Sequence, residues 1–270
     1  MTVPQIPPRH ALLPDRERSR AVLVGSNAGL RQWPSPGQPE ELTARLAQAL
    51  TSPGPGGAFH RENTTLLLGP ERPADVLDAL RHAAGTASDV LLFWYAGRGL
   101  PREGGLAFGV TETDPRHAAD TDTGVDVNAV AEIMSTGRAA RPAVILDCDH
   151  ATTATTRFTG TDPAPALMAA ETSSFRPMAD PFTETLVDGL TNGVQEGPEA
   201  LDLVTLHNAI EAAYTRTRYY VENEYIGGPS HVLLRGGREL ALAMNPAFAL
   251  PNHPGALPPH PDVVHAQESW

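Results

Sequence analysis

"AVILDCDHA", residues 143–151, runs apolar for four residues and then turns abruptly to Asp147, Cys148, Asp149 and His150. Such a run reads as a buried strand that delivers polar side chains at its carboxyl end, where open α/β sheets place their ligand sites. Working back toward the amino terminus, "SDVLLFWYAG" (88–97) is a second long buried strand, and it ends in "YAGRG" (95–99). "RAVLVGS" (20–26) and "TTLLLGP" (64–70) read as two more strands, and "GGLAFGVTE" (104–112) as a short one. Helical periodicity lies between them. "PEELTARLAQALTS" (39–52) puts Leu42, Leu46, Ala49 and Leu50 on one face. "RPADVLDALRHAAG" (72–85) has Pro73 near its start and Gly85 at its end, and "VNAVAEIMSTG" (127–137) is a third helix.

Beyond the opening stretch, residues 150–179 are rich in Thr, Ala and Pro without periodicity and read as a long loop. Asp180-Pro181 then opens a helix as cap and first-turn residue, and a longer helix runs from about Thr205 to Val221. "SHVLLRG" (230–236) and "ELALAMN" (239–245) close the pattern. Alternating apolar strands and helices predict an α/β fold whose mostly parallel sheet is covered on both faces. The expected organisation is an N-terminal extension (1–18), one domain (19–248) and a Pro- and His-rich flexible tail (249–270).

Composition removes several function classes. The net charge of −12 argues against non-specific binding to nucleic acid, which needs clustered positive charge. All 20 basic residues are Arg, so there is no lysine for a phosphate loop, a Schiff base or a general base. No apolar run approaches the ~20 residues of a membrane span. The Pro- and charge-rich start lacks a secretory core, so a cytoplasmic location is expected. The single cysteine, Cys148, excludes an intramolecular disulfide and a cysteine-based zinc cluster. The histidines at 253, 260 and 265 are too loosely spaced for a metal site, and neither a metal nor another cofactor is expected. The Arg, Ala, Pro and Gly bias fits a GC-rich bacterial genome.

"YAGRG" and "LDCDHA", in this order, resemble two strand ends of the caspase-like cysteine peptidases, a family that includes metacaspases and bacterial caspase homologues. There one strand ends in Tyr-Ala-Gly-His-Gly, whose His is the general base, and the next in Asp-Cys-Cys-His-Ser-Gly, whose second Cys is the nucleophile. Arg98 and Asp149 occupy those two positions, 51 residues apart, close to the separation of about 50 known for caspases. "SRAVLVGSN", "SSFRPMADPFTETLVDGL" and "LRGGRELALAMNPAF" resemble further family segments, so the likeness covers roughly residues 19–248. It implies a three-layer αβα sandwich.

For chemistry the departures decide. A guanidinium stays protonated at neutral pH and cannot act as a base. A carboxylate is a poor acyl acceptor beside a thiolate. The resemblance therefore implies a pseudopeptidase with no intact catalytic pair, in which Arg98 and Asp149 are expected to form an ion pair. Asp147 matches the acid that lines a pocket for basic residues in metacaspases, which implies a separate protein or peptide partner with a basic segment; the structural alternative is a carboxylate bonded to nearby backbone amides. No membrane partner is expected, since no apolar run is of span length. His150 matches the family's post-nucleophile His and reads as structural or rim-lining. Bacterial members of the family often serve defence, signalling or cell-death systems.

Two enzymatic alternatives compete with this reading. Cys148 acting as nucleophile with another histidine would make an active cysteine endopeptidase. Yet strand alternation turns Cys148 away from the face of Asp147 and Asp149, and a packed thiol is the simpler reading. Asp147-x-Asp149 also resembles the Asp-x-Asp strand end of haloacid-dehalogenase-like phosphatases, with Asp147 as nucleophile and Asp149 as acid/base. That family places the motif on its first strand and usually needs a later lysine, which this chain lacks.

Overall fold

A computed structural model describes residues 12–28, 39–53, 57–113, 123–159, 163–171, 181–221 and 232–248. The expected flexible tail, residues 1–11 of the expected extension, all of "SSFRPMAD" with the expected helix cap Asp180, and the loop around His117 lie outside the described residues.

The central sheet is built from the strands that are apolar along their whole length. β1 (Arg20–Gly25), β3 (Val90–Gly97) and β7 (Arg141–Cys148) are almost entirely buried, as strands covered on both faces must be. β2 (Thr64–Leu68) lies beyond β1, and β8 (Ala166–Glu171) and β10 (Val232–Arg235) lie beyond β7. The six-stranded order is β2-β1-β3-β7-β8-β10, with every pairing parallel except that of β10 with β8. The chain leaves β1 for β2 on one side and returns to β3 on the other. The crevice between the carboxyl ends of β1 and β3 is thus a topological switch point.

Helices cover both faces, giving a three-layer α/β/α arrangement. α2 (Pro73–Thr86) and α3 (Val127–Thr136) pack Val76, Leu80, Val130 and Met134 against Val22, Phe93 and Val144. α1 (Pro39–Leu50), α5 (Pro181–Asn192) and α6 (Leu203–Val221) bring Leu46, Leu186 and Ile210 against Leu23, Trp94 and Ile145. Trp94 stacks on Phe182 with centroids 6.1 Å apart, and its indole N–H donates to Thr43 Oγ1 at 3.1 Å. A buried indole needs such a partner.

Helix starts follow local chemistry. Pro73 opens α2, and the Asp75 carboxylate accepts from the Arg72 amide at 3.0 Å. Asp126 caps α3 by accepting from the Asn128 amide at 2.9 Å.

Residues 150–179 are not one continuous loop. They contain the short helix α4 (Ala151–Thr155), a turn of 3₁₀ helix (Thr156–Phe158) and β8. β8 is alanine-rich and follows Pro163 and Pro165, so it shows little strand propensity of its own. Pairing with β7 and β10 on its two sides makes it a strand. Two small antiparallel sheets complete the chain. β4 (Gly99–Arg102), β5 (Gly105–Gly109) and β6 (Gly124–Asp126) form one, and β9 (Ala200–Asp202) with β11 (Ala241–Met244) the other. Pro101 is accommodated because β4 is an edge strand.

At the amino ends of the strands, Arg141 ties together three other segments of chain. Its Nε and Nη2 donate to Asp89 Oδ1 and Oδ2 at 2.9 and 2.8 Å. Nη1 also donates to the carbonyls of Leu12 and Glu239, and Nη2 to that of Leu13, each at 3.0 Å. The Asp15 amide adds a bond to Asp89 Oδ2 at 2.7 Å. Residues 12–18, read from sequence as part of an extension, are thereby tied to the domain.

Candidate functional site

The parallel register sets Ala96 beside Asp147 and Gly97 beside Cys148. One step further, where both strands end, Arg98 and Asp149 meet. Arg98 Nε stands 3.3 Å from Asp149 Oδ2, with the side chains 23% and 11% exposed. The Nε–H is not aimed at that oxygen, so the contact is an attraction of charges rather than a hydrogen bond.

The backbone around Arg98 is held tightly. Its carbonyl accepts from the Gly109 amide at 2.9 Å and from the Tyr95 hydroxyl at 3.0 Å. The same hydroxyl lies 2.9 Å from the Gly109 carbonyl. Burial pushes the Tyr95 phenol well above its ordinary pKa, with the proximity of Cys148 and of the Asp149 carboxylate adding to the effect, so Tyr95 stays a donor. Glycines stand on either side of Arg98, at 97 and 99. Their reason is close approach. A Cβ on Gly97 would lie 2.7 Å from the Ser26 carbonyl oxygen, and one on Gly99 only 1.8 Å from the Asp149 carbonyl oxygen.

Strand alternation separates the other residues. Cys148 is fully buried in the core under α2 and α3, as expected of a packed thiol, and Tyr95 and Leu146 share that core. Asp147 points the other way, where its carboxylate accepts from the Thr183 hydroxyl on α5. Thr183 is itself fully buried. His150 is exposed and takes a left-handed conformation (φ 58°) that turns β7 sharply into α4. Arg98 and Asp149 are thus brought together, while Cys148 lies in the core, Asp147 is engaged by Thr183 and His150 is exposed.

The β4–β5 hairpin flanks the pair and is pinned at its far end. The nearly buried Arg102 pairs with Asp126, and Arg157 donates to the Gly104 carbonyl. Sequence reading missed this hairpin, the Tyr95 hydroxyl bridge and the Thr183 contact. The Phe-Thr pair at 182–183 was the one visible signal for the last.

Chemically, the pair presents a cation beside an anion, with neither an imidazole nor a thiol in it. Among the described residues, no three His, Cys, Asp or Glu side chains converge on a possible metal position, and no helix is long and apolar enough to cross a membrane. A groove of about 430 Å³, lined by Arg81, Glu132 and Arg138 among others, opens between the carboxyl ends of α2 and α3, away from the pair. Fold and site define an α/β protein with a mostly parallel sheet and a charged pair at its strand tips. No protein-family model and no curated protein matches the chain.

Proposed function

We propose that this chain is a pseudopeptidase of the caspase-like type, acting by binding rather than by cleavage. The observation that carries the reading is the Arg98–Asp149 pair at 3.3 Å, formed by the two positions where the resemblance puts the general base and the nucleophile. The three-layer arrangement with a mostly parallel sheet is compatible with it. In a working peptidase of this kind a thiolate rests beside an imidazolium. Here a guanidinium and a carboxylate give the same sequence of charges with neither reactive group. Such a domain would engage a separate protein or peptide and regulate or sequester it, in a bacterial signalling, defence or cell-death system. Asp147 supports a partner with a basic segment, although Thr183 already takes up part of its carboxylate. The enzymatic alternatives gain no support: Cys148 is fully buried, the Asp147 carboxylate is engaged by the Thr183 hydroxyl, and Asp149 stands against Arg98.

The test pairs the native chain with the double variant Arg98→His, Asp149→Cys, each assayed on fluorogenic peptides ending in Arg, Lys or Asp. The native chain is expected to cleave none, and the double variant to cleave at least one after a basic residue. Amide hydrolysis by the native chain, or labelling of Cys148 by an active-site alkylator in the folded protein, would overturn the reading.

A further inference from the structure

The sheet ends on one side at β2, whose sequence Thr64-Thr65-Leu66-Leu67-Leu68 has no charge, no proline and no bulge. Edge strands are normally guarded by such features. The opposite edge strand, β10, ends in the exposed Arg235. Leu66 and Leu68 are 39% and 44% exposed and are the large apolar side chains that stay in solvent among the described residues, while Leu67 packs inward.

The backbone of this edge is also available for pairing. The Gly69 amide donates to the Gly25 carbonyl at 2.8 Å, so by two-residue alternation Thr65, Leu67 and Gly69 face β1. Leu66 and Leu68 therefore turn their N–H and C=O groups outward, and Thr64 its C=O, while the Thr64 N–H bonds the Arg61 carbonyl.

We infer that β2 pairs antiparallel with β2 of a second copy of this chain, about a two-fold axis through Leu66. That axis sets Leu66 opposite Leu66 as a doubly hydrogen-bonded pair and brings each Leu68 amide to the Thr64 carbonyl of the other copy, and the exposed leucines of both copies share one face. Moving the axis to Leu67 would set Thr64 against Pro70, which has no N–H to give. The flanking charges agree with the choice. The exposed Arg61 precedes the strand and the exposed Glu71 follows it, so each Arg61 comes beside the other copy's Glu71. A parallel pairing would instead set Arg61 against Arg61. A second copy fits this edge better than an unrelated peptide because both the register and the flanking charges are self-complementary.

Light scattering of the full chain after size exclusion, over a concentration series, tests the inference. The mass is expected to rise toward twice 28.7 kDa. Leu66→Lys is expected to keep the chain at monomer mass with its circular dichroism and melting temperature unchanged, and Leu68→Lys is the second variant should the first fail to fold. Arg61→Glu is expected to weaken association roughly tenfold, and Arg61→Glu with Glu71→Arg to restore it. A monomer at every concentration, a dimer indifferent to both lysine variants, or a dimer indifferent to the charge variants would each overturn the β2–β2 pairing.

Discussion

Taking away Asp149 alone strands the Arg98 guanidinium, three-quarters covered, without its counter-charge. Breaking a partly buried pair in this way costs more than the pair contributes as a whole. Asp149→Ala is expected to lower unfolding free energy by about 1–3 kcal/mol, a range discounted for the water that still reaches Arg98. Arg98→Met combined with Asp149→Leu should come closer to the native value. A urea-denaturation cycle on the four proteins checks this, and zero coupling would mean the two charges are independently solvated. The meeting of these residues was legible in the sequence because both sit at corresponding ends of apolar runs that had to be neighbouring strands. The offset Nε geometry was not, since it depends on where the Gly109 amide and the Tyr95 hydroxyl hold the Arg98 backbone.

Between β3 and β4 the chain passes so close to β7 that Gly99 leaves no room for a methyl group. Gly99→Ala is expected to push the β4–β5 hairpin off the Asp149 carbonyl and to destabilise the fold by about 2 kcal/mol or more. Hydrogen exchange at the Gly109 amide, which bonds the Arg98 carbonyl, reads the displacement directly: protection there is expected to fall, and retained protection would show that the hairpin absorbs the methyl group without moving. At this scale the sequence was most informative where elements are long. The strands at β1, β3 and β7 and the helices α1, α2 and α3 stand within a few residues of their expected bounds. The elements it hid are short: β4, β6 and β9 have three or four residues each, and α4 five. Periodicity needs more residues than that to declare itself. β8 was hidden for another reason, because its neighbours rather than its own side chains make it a strand.

Asp89 and Arg141 bind the amino ends of the whole sheet. Burial pushes the Asp89 carboxyl upward, but the Arg141 guanidinium, the Asp15 amide and the Ser19 hydroxyl together hold it below its ordinary range. A carboxyl lowered on folding stabilises the protein above its unfolded-state pKa. That contribution disappears as pH falls through the folded-state value. The native chain is therefore expected to lose stability on acidification through the carboxylate range, and Asp89→Asn to lose about 2 kcal/mol at neutral pH and to show a flatter acid limb in thermal melts at stepped pH. An unchanged acid limb would assign the pH response to other carboxylates. Arg141 lies just before the apolar run, and the sequence reading did not single it out; its partners lie far apart along the chain, and nothing local marks them. One consequence concerns synthesis on the ribosome. Because a single guanidinium joins the carbonyls of Leu12 and Glu239, a nascent chain that has laid down β1, β3 and β7 still cannot complete this knot until Glu239 has cleared the exit tunnel.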